Sequence, residues 1–152
     1  MTERDRRMFK SILVPVDVAH ESSWIHALPQ AIKMAKADKA HLTLMTVVRQ
    51  TSNMFEGVYL SFQLEKIMAE AKERLASIAF AYRDAGVEIA QDVRMGSIGG
   101  EVLAAVRELD IDLVVMASHR PEMIDYLIGP NAAHVALNAR CSVLVLRPEA
   151  GA

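Results

Sequence analysis

The chain has 152 residues, a length that suits one domain with a substantial core and leaves no room for two ordinary ones. Apolar residues make up 52% of it and charged residues 24%, which excludes a disordered chain and removes the need for disulfide or metal staples. Its 17 basic and 19 acidic residues give a net charge of −2 with no long block of either sign, which argues against a nucleic-acid surface or an acidic tail.

The charged start, MTERDRRMFK, leads into a five-residue apolar run, too short for the apolar region of a signal peptide. That run, Ile12–Val16, reads as a buried strand, because a parallel strand covered on both faces is continuously apolar. Ser22 or Ser23 can cap a first helix, and Pro29 should kink it or delay its start. Leu42–Val48 is a second buried strand, and Arg49–Tyr59 is the one long connection. Leu60, Leu64, Ile67, Met68, Ala71, Leu75, Ile78, Ala79 and Tyr82 then form one apolar stripe on a long helix. Val87–Val93 alternates, as an edge strand with one wet face does. Met95–Gly100 lacks the spacing of a dinucleotide fingerprint and is expected to turn the chain into a helix carrying Val102, Leu103, Val106 and Leu109, with Ser97 as cap. Leu113–Ala117 is a fourth strand, Ala132–Ala139 a short helix and Val143–Leu146 the last strand. Strands and helices alternate throughout, which predicts an α/β, doubly wound, five-stranded parallel sheet with helices on both faces. It is read as one domain over residues 1–152, with flexible ends at 1–8 and 148–152.

In such sheets ligands bind outside the carboxyl ends of the strands where strand order reverses. That directs attention to Asp17, to residues 47–50, to 95–97 and to the segment from Met116 to Asn131. Asp17 follows the first strand, where a carboxylate can meet a ribose, an adenine amino group or a metal; it can equally cap the next turn. After Ala117 a polar loop carries Ser118, His119 and Arg120, and Gly129-Pro130-Asn131 opens a helix whose N-terminus could receive phosphates. Gly129 would let the backbone approach closely.

KSILVPVD at the start, LTLMTVV in the second strand, VRMGSIGGEVL after the third, and ASHRPEMIDYLIGPNAAHV with CSVLVLR at the end resemble the universal stress protein family. The ending is the most specific part, and it resembles the small, single-domain bacterial subgroup whose loop reads SHRP rather than SHGR. The resemblance implies a Rossmann-like fold of the adenine-nucleotide alpha hydrolase kind, with strand order 3-2-1-4-5. It further implies homodimers joined through the last strand, Val143–Leu146, higher oligomers in some members, and in many a bound ATP or other adenine nucleotide, with or without Mg. Carried over position by position, it puts Pro15, Val16 and Asp17 at the adenosine, Val47 where backbone reads the adenine, and Met116, Ala117, Ser118, His119, Arg120, Gly129, Pro130 and Asn131 around the ribose and phosphates.

The family's motif is glycine, two residues, glycine, nine residues, then glycine and a hydroxyl residue. Here Ala117 and Arg120 stand at the first two glycines, Pro130 at the hydroxyl residue, and eight residues separate Arg120 from Gly129. Pro130 suits a first helical turn but removes one N–H and one hydroxyl. Arg120 offers a guanidinium fork in place of bare backbone. Three functions follow as expectations: a nucleotide-responsive regulatory module without enzymatic activity; a homodimeric interaction protein whose crevice is vestigial or holds an anion; or a slow ATPase or self-phosphorylating protein.

His119 is taken as the only histidine near the pocket, and a lone loop histidine is more often a hydrogen-bonding group than a catalyst. His20, His26, His41 and His134 show no metal-ligand spacing with one another or with Cys141, and no metal is expected. Cys141, the only cysteine, fits a reducing compartment and reads as a packing residue. Asp110 and Asp112 read as turn residues at the far end of the sheet. A receiver domain is set aside because Asp17 stands alone, with Met95 and Arg147 where an aspartate and a lysine belong; Walker and flavodoxin phosphate loops are absent. No run approaches the roughly 20 apolar residues that span a bilayer, so a cytoplasmic protein without membrane or nucleic-acid partners is expected.

Overall fold

The computed structural model describes residues 7–49, 58–118 and 129–147. Its strands are β1 (Ser11–Pro15), β2 (His41–Arg49), β3 (Ile89–Gly96), β4 (Leu113–Ala117) and β5 (Ser142–Leu146). Its helices are α1 (Ala27–Asp38), α2 (Val58–Ala81), α3 (Ile98–Glu108) and α4 (Pro130–Asn138), with a single 3₁₀ turn at Glu21–Ser23. All strand pairs are parallel, in the order β3-β2-β1-β4-β5, as the resemblance implied.

Alternate residues of the continuous apolar strands bury themselves on opposite faces. Ile12, Val14, Leu42, Leu44, Leu113 and Val115 pack with Leu28, Ala31 and Ala35 of α1 and Leu75, Ile78 and Ala79 of α2. Leu13, Met45, Val114 and Met116 pack on the other side with Val102 and Ala105 of α3 and Ala132 and Val135 of α4. The sheet is thus covered twice, which is why its inner strands show no polar alternation.

The two ends of the sheet are finished differently. At the amino end the Asp112 carboxylate accepts hydrogen bonds from the Lys10 and Ser11 backbone N–H groups at 2.8 and 3.1 Å, tying β1 to β4. Asp112 is therefore a clamp between strands as well as a turn residue, while its neighbour Asp110 takes the left-handed turn conformation at φ 51°. At the carboxyl end β1 and β4 part. They pair through Ile12 with Leu113 and Leu13 with Val114, whereas β1 stays paired with β2 as far as Pro15. β1 runs outward to β2 and β3 and the chain then returns to β4, so this parting is the topological switch point.

Three local expectations need correction. Neither Ser22 nor Ser23 caps α1; the helix begins at Ala27 after the 3₁₀ turn, His26 stands at its N-cap, and Pro29 sits inside its first turn, where no N–H is missed. β3 begins at Ile89 rather than Val87, because Gly86 at φ 85° still turns the chain there while Val87 packs sideways on the core. β3 is an edge strand, but its burial does not alternate: Ala90 and Gln91 are exposed, and residues 92–96 are half-buried beside α3. Elsewhere Ser97 caps α3 as expected, its Oγ accepting from the Gly100 N–H at 3.2 Å. A Cβ on Gly100 would stand 2.5 Å from that oxygen, so a side chain there would make the Ser97 hydroxyl shift. Cys141 is half-buried against the α3 and α4 cluster, and burial pushes its thiol above the ordinary range, as befits a packing residue. Among the described residues no helix is long and apolar enough to cross a membrane, and no group of three or more His, Cys, Asp or Glu is placed to hold a metal ion.

Candidate functional site

A cavity of about 320 Å³ opens at the carboxyl ends of β1, β2 and β4, within the volume range of small-molecule sites. Its walls follow from how each strand ends. The Val16 N–H still donates to the Met45 carbonyl at 2.8 Å, and the buried Thr46 hydroxyl donates to the Val16 carbonyl at 2.9 Å, which fixes the exit of β1. β2 continues to Arg49 with β3 on one side only, so its last residues face the cavity without a neighbouring strand there. Met45, Val47, Met116 and Ile98 supply apolar lining.

After β1 the chain makes a self-contained polar turn. Asp17 Oδ1 accepts from the Ala19 N–H at 3.0 Å, and Asp17 Oδ2 lies 2.9 Å from Nδ1 of His20. Ser23 Oγ accepts from the Asp17 N–H at 2.9 Å and lies 3.0 and 2.8 Å from the Asp17 and His20 carbonyls, to which its hydroxyl donates. The serine expected to cap a helix therefore holds this loop instead. Asp17 organises the turn, as one of its two readings has it, and it also lines the cavity.

After β4 the Ser118 N–H donates to the Leu146 carbonyl at 2.8 Å, and the Ser118 carbonyl accepts from the Gly129 N–H at 2.7 Å. Residues 118 and 129 are thereby joined at the cavity rim. Gly129 is the N-cap of α4 with φ −63° and ψ 153°, a conformation open to any residue, so a tight turn is not what calls for glycine here. It brings no capping side chain, Pro130 at the first helical position has no N–H, and the helix therefore presents the Asn131 and Ala132 N–H groups as its donors. Pro130 therefore leaves this helix N-terminus with one N–H fewer than another residue would present.

The structure brings Pro15, Val16, Asp17, Val47, Met116, Ala117, Ser118, Gly129, Pro130 and Asn131 around this one cavity. His119 and Arg120 lie outside the described residues. His20 was not among the residues selected from sequence, and the expectation that His119 is the only histidine near the pocket is corrected: His20 lines it. Arg49, within the span at the end of β2 to which attention was directed, is the arginine lining the cavity among the described residues; residues 95–97 do not line it, and Ile98 does. The spacing Asp17, His20, Ser23 was a usable signal, since a carboxylate at a strand end followed by hydrogen-bonding side chains at three-residue intervals suits a polar turn.

Comparison with known proteins bears on the family and the fold. The model of the Universal stress protein family matches residues 8–147. Universal stress protein G of Salmonella typhimurium is 31% identical over 144 residues, covering 92% of this chain and 100% of that protein. Universal stress protein UspA from Lactobacillus plantarum superposes with a TM-score of 0.75 at 23% identity, covering 91% of this chain and 97% of its own. A universal stress protein solved in complex with cAMP superposes with a TM-score of 0.61 at 21% identity, covering 91% and 97%. The fold, the family model over nearly the whole chain and a relative matched along its full length agree: the chain belongs to the universal stress protein family.

Proposed function

We propose that this chain binds an adenine nucleotide in the crevice at the switch point and acts as a nucleotide-responsive binding module of the cytoplasm rather than as an enzyme. The observation that carries the reading is one cavity bounded by a carboxylate turn after β1, strand backbone without a neighbour at Val47, and the N-terminus of α4. These suit a ribose or amino group, an adenine edge and a phosphate respectively. The universal stress protein of the same fold solved with cAMP supports the ligand class. The test is calorimetry of ATP against purified protein, together with a search for nucleotide released on denaturation. Binding at millimolar ATP or tighter is expected, weakened about tenfold in Asp17→Ala, a loss of about 1.4 kcal/mol. Neither heat nor released nucleotide would overturn the reading.

A second reading, a crevice that holds no nucleotide with function in the protein surfaces, draws on Pro130 and on the Gly129 N–H already spent on Ser118. Under either reading we expect a homodimer through β5. That strand ends the sheet beside β4, its apolar side chains are half-exposed, and edge backbone of this kind seeks a partner. Sedimentation should give a dimer, and Val145→Lys should give a folded monomer; a monomeric parent protein would refute the assembly.

A further inference from the structure

We infer that His20, not Asp17, makes the direct side-chain contact to the ligand from the loop after β1, with its Nε2 accepting a hydrogen bond from an O–H or N–H of the nucleoside, and that Asp17 acts by holding the ring. This rests on the nucleotide-binding reading and names the residue through which that site would recognise its ligand. A carboxylate can only accept, so the 2.9 Å contact from His20 Nδ1 to Asp17 Oδ2 requires the proton on Nδ1. In the neutral ring that fixes the tautomer, and Nε2 becomes an acceptor. His20 lines the cavity, and among the described residues its one polar side-chain partner is Asp17. Asp17 is committed inward: its two oxygens meet the Ala19 N–H and the His20 ring, while its own N–H and carbonyl are bonded to Ser23 and its carbonyl also accepts from the His20 N–H. The backbone at both ends of the contact is thus pinned, and the ring is oriented before a ligand arrives. Pre-ordering of this kind lowers the entropy lost on binding.

An acceptor at Nε2 recognises a donor, which in an adenine nucleotide is a ribose hydroxyl or the exocyclic amine. The experiment compares ATP, 2′-deoxy-ATP, 3′-deoxy-ATP and inosine triphosphate by calorimetry against the parent protein, His20→Phe and His20→Gln. One analogue lacking a donor should bind the parent about three- to tenfold more weakly than ATP, the size of one neutral hydrogen bond. That difference should vanish in His20→Phe, and the analogue concerned tells hydroxyl from amine. NMR of the ring nitrogens should show the neutral His20 ring protonated at Nδ1 in the parent and shifted towards the Nε2-protonated form in Asp17→Ala. His20→Phe binding ATP as tightly as the parent, undiminished analogue discrimination in a folded His20→Phe protein, or an Nε2-protonated ring in the parent would each overturn the inference alone, whereas His20→Gln, whose amide oxygen can accept, should keep part of the discrimination. Absence of ATP binding to the parent would remove the nucleotide reading and this inference with it.

Discussion

Leu13→Ala is expected to lower the unfolding free energy by about 3–4 kcal/mol, close to the middle of the range for leucine truncation in a rigid core. Leu13 is fully buried on the central strand β1, between β2 and β4, in the cluster formed with Met45, Val102, Ala105, Val114 and Val135. Strands on both sides and helices above prevent the surroundings from collapsing into the space left behind, so the lost transfer energy is joined by a cavity penalty. The internal control is Leu137→Ala on α4: the same atoms are removed from a side chain 84% exposed, and a change within about 0.5 kcal/mol is expected. Urea unfolding of the two variants measures both. A loss below about 1.5 kcal/mol for Leu13→Ala would show that the α3 and α4 layer repacks.

The second large effect is expected at Arg94 on the edge strand. Its guanidinium lies 2.8 Å from Asp92, 2.7 Å from Glu108 and 3.7 Å from Glu101, so one cation ties β3 to two turns of α3. Burial alone lowers the affinity of this group for its proton, but the hydrogen bonds and charges of Asp92 and Glu108 outweigh burial, and the net shift is upward. A folded-state value raised above the unfolded one gives stability that is fully present below the unfolded value and is lost only as pH rises through the folded one. That window lies beyond the ordinary guanidinium range, so the direct contribution of Arg94 is constant across neutral pH. Arg94→Ala should cost about 2 kcal/mol, the Glu108 share being discounted because that side chain is mostly exposed. The loss is electrostatic, so the deficit should narrow when salt screens the pairs. Urea midpoints of parent and variant at low and high salt test this; an equal deficit at both would assign the loss to packing of the arginine stem.

Much of the fold was legible because its signals are strong and local. Continuous apolar runs marked the two-faced strands, the stripe from Leu64 to Tyr82 marked α2, and Ser97 marked the start of α3. The strand order came from resemblance, since pairing partners far apart in sequence leave no periodic trace. What was missed depends on competition between neighbours. Ser23 was expected to cap a helix and instead bonds Asp17, because a nearer set of backbone groups offered better partners. The strand preference of Val87 was overruled by the turn at Gly86. At the site, the strand-end rule located the cavity, but His20 was weighed only for metal-ligand spacing, while its contact is with Asp17, three residues before it in the same turn. His119 and Arg120, the most distinctive residues of the family likeness, lie outside the described residues.

The bond between the Ser118 carbonyl and the Gly129 N–H also bears on how this chain differs from its family in length. It closes the base of the intervening segment independently of that segment's own sequence, and closure entropy changes only slowly with the number of residues enclosed. A residue gained or lost between those anchors therefore costs the sheet almost nothing. The eight-residue interval between Arg120 and Gly129, where the motif of the resembled family has nine, is a change the scaffold can absorb while β4 and β5 stay in register.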